Sequence, residues 1–114
     1  MEKQTFGKDE RIRKKNDYVR IYRQGSRGYS EHFTWLIHRS PAGTRRFGIT
    51  AGRKVGKAAK RNRIKRLLRE FFRLNKARLP GGRDIVIMVR PRLPYMFYGD
   101  ILRELEGLFT KKIE

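Results

Sequence analysis

The spacing of apolar residues divides the chain into short segments of different period. Met1 to Lys14 is polar, with only Phe6 and Ile12 as apolar anchors, and predicts an extended arm partly tacked onto a domain. Tyr18, Ile21 and Tyr22 then fall at i, i+3 and i+4, the spacing that gathers side chains on one face of a helix. Asn16 is placed to cap that helix, Asp17 suits its positive first turn, and Gly25 suits its end. From Tyr29 the period changes to two. Phe33 and Trp35 alternate with Thr34 and Leu36 as in a strand, Ser40 to Gly43 reads as a turn, and Arg46 to Ala51 predicts a second strand with Phe47 and Ile49 on one face. The two strands together predict an antiparallel hairpin.

A glycine-bracketed basic loop, Gly52 to Gly56, leads into the strongest periodic segment, Lys57 to Arg78. Wound as a helix, it places Ile64, Leu67, Leu68, Phe71, Phe72 and Leu74 on one side. Arg61, Asn62, Lys65, Arg66, Arg69, Arg73 and Lys76 take the other side, and the single acid, Glu70, lies within reach of Arg66 and Arg73. Leu79 to Gly82 stops the helix. Ile85 to Val89 is a continuous apolar run of strand length, the pattern of a strand buried on both faces. Pro91 and Pro94 break it. A last helix near Tyr98 to Lys111 uses Ile101, Leu102, Leu105, Leu108 and Phe109 as its core face, with Gly107 as its weak point. No repeat and no long linker divides the chain, so residues 1–114 predict a single domain, with 1–14 as a basic arm and the order α-β-β-α-β-α, with room for one more short strand.

Charge changes the picture most. There are 30 Lys and Arg residues against 11 Asp and Glu, a net of +19, and self-repulsion of that size calls for a polyanionic partner. Nucleic acid and an anionic membrane surface both qualify, but no apolar run approaches the roughly 18 residues that span a bilayer. The polar, acid-containing N-terminus reads neither as a secretory signal nor as a transit peptide. No cysteine is present, so disulfides, thiolate nucleophiles and Cys-based zinc sites are excluded. A cytoplasmic protein without membrane attachment is expected.

An ordinary solvated helix face mixes charge signs, whereas the central helix carries a nearly single-signed stripe continuous with Arg53, Lys54, Lys57 and Lys60. Like cations in one stripe repel, and a phosphate backbone relieves that repulsion while counterion release supplies affinity. Within the stripe, the guanidinium forks of Arg61 and Arg63 suit phosphate oxygens, and Asn62 can donate and accept at a 2′-hydroxyl or base edge. Tyr18 and Tyr22 admit two readings, core packing or stacking of unpaired bases beside Arg20 and Arg23. His32 and His38 lie in or beside the first strand without the partners of a catalytic triad, and no carboxylate pair or phosphate-cradling loop accompanies them. No catalytic residue and no metal site is assigned to the protein.

Lys60-Arg61-Asn62-Arg63-Ile64-Lys65-Arg66-Leu67-Leu68-Arg69-Glu70, within Gly48 to Arg73, resembles the signature helix of the protein component of bacterial ribonuclease P. Arg11-Ile12 and Asp17-Tyr18 through Gly25 resemble that family's N-terminal helix, and Asp84 to Pro91 its late strand. The resemblance implies an α+β sandwich around a mixed, roughly four-stranded sheet, with a left-handed βαβ crossover like that of the second domain of ribosomal protein S5. It also implies a protein subunit that is not itself the catalyst. The partner RNA that the resemblance implies is a ribozyme that uses Mg2+, held chiefly by the RNA, to remove the 5′ leader of precursor tRNA.

Carried over by position, the resemblance assigns ribozyme contact to Arg53, Lys54, Lys57, Arg61, Asn62, Arg63, Lys65, Arg66, Arg69 and Arg73. It assigns the leader cleft to Tyr18 and Tyr22, with Leu36 where family members place a third aromatic, and gives Arg11, Arg13 and Lys14 an accessory role in the arm. Leu36 cannot stack as an aromatic does, and Trp35, the adjacent ring, is expected on the opposite face of the strand. The partners implied are ribonuclease P RNA and precursor tRNA, with no homo-oligomer expected. The main rival reading is a ribosomal or other structural RNA-binding protein, followed by a protein nuclease and a DNA-bound architectural protein.

Overall fold

The computed structural model describes residues 6–41 and 43–110. Helix α1 (Lys15–Gln24) is followed by strands β1 (Ser26–Tyr29), β2 (Phe33–Arg39) and β3 (Arg46–Thr50). Helix α2 (Ala58–Asn75), strand β4 (Arg83–Val89) and helices α3 (Tyr98–Leu105) and α4 (Gly107–Thr110) complete the chain. The strands form one mixed sheet in the order β1-β2-β4-β3. β1 pairs antiparallel with β2, β2 antiparallel with β4, and β3 parallel with β4. The α+β architecture and the four-stranded mixed sheet agree with the expectation, and the segment β3-α2-β4 is its parallel crossover.

The predicted hairpin does not form. β4 lies between β2 and β3, with Ile37 and Phe47 both registered to Ile85 from opposite sides. The physical reason is burial: Ile85, Val86, Ile87 and Val89 are all buried, and a strand that is apolar on both faces is best placed inside the sheet. Two further expectations are corrected. Asn16 lies inside α1, whose N-cap is Lys14 with no side-chain cap bond, so Asn16 is not the cap. The last helix breaks at Glu106 into α3 and α4, just ahead of Gly107, while Lys111 lies outside the described residues.

Alternation along β2 builds two cores. Phe33, Trp35 and Ile37 join Phe47, Ile85 and Ile87 under α2 and α3, where Ile64, Leu68, Phe71, Phe72, Ile101 and Leu105 close the larger core. Leu36 faces the other way and meets Ile12, Ile21 and Val86 beneath α1. The sheet is therefore sandwiched between α1 on one side and α2 with α3 on the other. On α2 the apolar stripe is as expected except at its end. Leu74 is 40% exposed on the flank, while Asn75 is buried and donates to Phe71 O and Tyr98 Oη at 2.8 and 2.7 Å. Lys76, expected on the basic outer face, is instead buried and paired with Glu10 at 2.7 Å, because the chain passes there into a 3-10 turn over Lys76–Arg78.

The arm straddles the edge of β3. Phe6 packs against the stacked pair Phe47 and Phe72 on one side of the sheet, and Ile12 is buried on the other. Between them a 3-10 turn (Lys8–Glu10) interrupts the extended chain, Arg11 bridges in parallel to Phe47, and Ile12 N donates to Phe47 O at 3.1 Å. This gives the outer strand a backbone partner at Phe47, on an edge whose free groups would otherwise invite edge-to-edge association.

Candidate nucleic-acid interface

The outer face of α2 remains open to solvent because its apolar stripe fixes how the helix is seated. Asn62, Arg66 and Arg69 are exposed, and Arg61 and Lys65 are half-buried. None of these five side chains forms an ion pair or hydrogen bond with another described residue. Ahead of the helix, a 3-10 turn (Arg53–Val55) is pinned by buried Val55 and leaves Arg53, Lys54 and Lys57 exposed. The N-cap of α2, Lys57, offers no side-chain acceptor, so the first-turn N–H groups add positive potential to the same end.

Two of the residues assigned to ribozyme contact are already engaged. Arg73 Nε donates to Glu70 Oε1 at 2.7 Å, which resolves the choice of partner for that acid and neutralises the last turn. Arg63 Nη2 donates to Met96 O at 2.7 Å, and its guanidinium lies 4.3 Å from the centre of the Tyr95 ring. Lys60 Nζ similarly donates to Leu93 O at 2.7 Å.

The arm extends the basic surface. A polar pocket of about 200 Å³ gathers Arg11 and Arg13 from the arm, Lys65 and Arg69 from α2, and the ring of Tyr18. No acidic side chain lines it. Arg11 and Arg13 also line a second depression, which they share with Lys14, Asp17 and Arg46.

Tyr18 is also a wall of the neighbouring groove. That groove, about 420 Å³ and largely apolar, runs between α1 and the sheet and is lined by Tyr18, Val19, Tyr22 and Arg23 above and Leu36, Thr50, Val86 and Met88 below. Leu36 is buried in the floor, opposite Val86 in register, and Trp35 is on the far face as expected. Tyr18 donates its hydroxyl to Ile12 O at 2.9 Å, and burial pushes its phenol above the ordinary value. Its ring sits over Gly48, where a Cβ would fall 2.6 Å from the Tyr18 oxygen. Tyr22 is 51% exposed, and Arg27 stacks on it with its guanidinium carbon 4.5 Å from the ring centre. Of the two readings open for these tyrosines, Tyr18 takes part in both, as a half-buried anchor and a groove wall, and Tyr22 is a surface ring.

A buried charge network orients α1. Asp84 on β4 is fully buried and accepts from Arg46 Nε and Nη2 at 2.8 Å each and from Arg20 at 3.4 Å. Asp17 completes the square, bonded to Arg20 at 2.9 Å and Arg46 at 3.4 Å. Burial pushes the Asp17 carboxyl up, but the two guanidinium groups outweigh it and hold the group below its ordinary 3.8. Arg20 is thus committed to the interior and is not the base-flanking cation that its place beside Tyr18 suggested.

A surface with a cationic helix whose one acid, Glu70, is paired with Arg73, a basic pocket and an adjoining aromatic groove has the chemistry that suits a phosphate backbone with unpaired bases. Comparison with known proteins decides the family. The family model for ribonuclease P matches residues 6–113. The chain belongs to the ribonuclease P protein family.

Among its relatives, the ribonuclease P protein component of Syntrophus aciditrophicus is 47% identical over 98% of this chain and 94% of that protein. The counterpart from Thermotoga maritima is 38% identical over 82% of this chain and 80% of its own length. The solved ribonuclease P protein of Thermotoga maritima superposes with a TM-score of 0.81, at 33% identity over 92% of this chain and 99% of that one. That of Staphylococcus aureus gives 0.78, at 31% identity over 87% and 91%.

Within this ribonuclease P protein fold, the predicted site residues divide into three spatial groups. The loop and outer-helix cations form one continuous face, Arg11 and Arg13 join it through the pocket, and Tyr18, Tyr22 and Leu36 meet in the groove. Sequence reasoning missed Val86, Met88 and Thr50 as groove floor. The pairings Leu36 with Val86 and Thr34 with Met88 would have exposed the first two, had β4 been recognised as the neighbour of β2. No helix is long and apolar enough to cross a membrane among the described residues, and these hold no group of three or more His, Asp or Glu side chains suited to a metal ion.

Proposed function

We propose that the chain is the protein subunit of ribonuclease P, binding the catalytic RNA with its cationic helix and the 5′ leader of precursor tRNA in the α1 groove. The observation that carries this reading is continuity. Asn62, Arg66, Arg69 and Lys65 lead without an intervening acid to Arg11 and Arg13, and from there past Tyr18 into the groove. A single strand can keep its phosphates on the cations while its bases turn toward the tyrosines.

In this reading the RNA performs phosphodiester hydrolysis with Mg2+ that it holds itself, and the protein supplies binding energy and position. The side chains on the open face fit that division, since they are phosphate-binding donors and the one carboxylate of the helix, Glu70, is bonded to Arg73. Arg53, Lys54, Lys57, Arg61, Asn62 and Arg66 grip the ribozyme, and Tyr18 and Tyr22 flank unpaired leader nucleotides over the Leu36 floor. Leu36 supplies apolar contact in place of a stacking ring, so leader stacking rests on α1.

The experiment is reconstitution. Adding the purified chain to a bacterial ribonuclease P RNA at low magnesium should restore leader removal from precursor tRNA. Failure of rescue with an RNA active at high magnesium would reject the reading in favour of another structural RNA-binding role. Magnesium-dependent cleavage by the protein alone would reject the RNA as catalyst. Replacing Arg61, Asn62 and Arg66 with Ala should weaken RNA affinity and flatten its salt dependence, by a log–log slope of about 0.7–0.9 for each phosphate no longer neutralised. Tyr18→Ala with Tyr22→Ala should weaken binding of precursor but spare mature tRNA; equal losses would remove the leader from the groove.

A further inference from the structure

The connection from β4 to α3 carries two exposed rings that the groove and the cationic helix leave unexplained. Tyr95 is 67% exposed and Phe97 65% exposed, and their rings meet edge to face at 5.2 Å. They lie on the α2–α3 side of the sheet, away from Tyr18 and Tyr22. Below Tyr95 is an apolar depression of about 270 Å³, between this connection and the first turns of α2, bounded by Ala59, Arg63, Leu67 and Met96.

This connection is held to the cationic face by cations of that face. Lys60 Nζ donates to Leu93 O, Arg63 Nη2 donates to Met96 O, and Arg92 N donates to Lys54 O at 2.9 Å. Arg92 holds a left-handed backbone, φ 60°, unusual for a residue with a side chain. Arg63 also stacks on the Tyr95 ring. Exposed aromatic side chains left to water gain from folding back on their own core, yet here two are presented outward on a braced loop.

We propose that Tyr95 and Phe97 form a second stacking platform, which takes an unpaired base of the same folded RNA that lies on the cationic helix. The inference rests on the RNA-subunit reading above and adds a contact to it. Charge selects the occupant. Arg63 stacks on the Tyr95 ring, Lys60 lines the depression beneath it, exposed Arg92 lies on the same connection, and the adjacent acid, Asp100, is bonded to Arg103 and to Phe97 N at 2.6 and 2.9 Å. A neutral or basic protein surface gains nothing from such a rim, whereas a nucleotide places its base on the rings and its phosphate on the cations. Lys60 and Arg63 then act as positioning residues for the platform.

The test titrates ribonuclease P RNA with the full-length protein and its Tyr95→Ala, Phe97→Ala double variant over a series of salt concentrations. Both residues are exposed, so the variant should keep its circular dichroism and melting temperature. A fall of about tenfold or more in affinity is expected, with an unchanged salt slope because every phosphate-binding cation is still present. Tyr95→Phe should keep the wild-type affinity. Equal binding by wild type and double variant would overturn the platform while leaving the subunit reading intact. A double variant that alters self-association in sedimentation but not RNA affinity would assign the rings to a contact between copies instead. A wild-type chain that binds no ribonuclease P RNA would overturn both.

Discussion

Replacing Arg46 by Met tests whether the buried charge network seats α1 on the sheet. Asp84 has no solvent exposure and receives both of its short bonds from the one guanidinium of Arg46, with Arg20 a more distant third donor at 3.4 Å. Removing Arg46 leaves a buried carboxylate largely uncompensated, a class of change that costs about 3–5 kcal/mol. Arg20 retains part of the compensation, so the lower end, about 3 kcal/mol, is expected. In a domain of this size, each kcal/mol moves the melting temperature by roughly 4–8 °C, giving a fall of about 12 °C or more. The second arm is Arg46→Met with Asp84→Leu, which removes the carboxylate as well and leaves the Asp17–Arg20 pair in place. Replacing a buried ion pair with apolar side chains is often neutral, so the double variant should regain most of the lost stability. Urea unfolding followed by circular dichroism measures all three proteins. A single variant within about 1 kcal/mol of wild type, or a double variant no better than the single, would refute the assignment of the network to stability.

Glu104 accepts from Ser30 Oγ, His32 N and His32 Nδ1 at 2.7, 2.9 and 2.5 Å, and joins α3 to the start of β2. Burial pushes its carboxyl up, but these donors prevail and hold it below its ordinary 4.5. The stability it contributes is therefore complete above that value and is lost as pH falls through the lower, folded value. Glu104→Gln should cost about 1–3 kcal/mol at neutral pH and lessen the acid-side loss of stability, read from melting temperatures at pH 3–7. Gly48→Ala places a methyl against the Tyr18 ring; an overpacking cost of about 1–3 kcal/mol is expected, together with weaker leader binding as the groove wall shifts. Tyr18→Phe should cost only about 1 kcal/mol through its missing bond to Ile12 O and keep leader affinity, since the ring remains.

Much of this fold was legible because burial writes period into sequence. The stripe of α2, the two faces of β2, the Phe6 and Ile12 anchors and the apolar β4 could all be read directly. The order of strands could not, since proximity in sequence favours β2 beside β3, and only the two-faced burial of β4 argues for its central place. The extra short strand could be allowed for but not placed, because β1, Ser26-Arg27-Gly28-Tyr29, is largely exposed and carries no apolar alternation. The cationic face was legible as a charge stripe, but periodicity is blind to partners. It does not reveal that Arg63 and Lys60 reach for loop carbonyls, that Arg73 is spent on Glu70, or that Arg20 turns inward to Asp84. Those outcomes depend on residues brought together across distances of 3 to 64 positions along the chain.

The central place of β4 has a consequence for how the protein is made. During translation, β2 and β3 emerge well before the strand that must lie between them, so β2 has only β1 beside it and β3 has no strand partner until Val89 has left the ribosome. A nascent chain stopped before Arg83 has α2 but no sheet centre for its apolar stripe to cover, and its polycationic side is then free beside ribosomal RNA. Closure waits on non-local pairing, the slow kind.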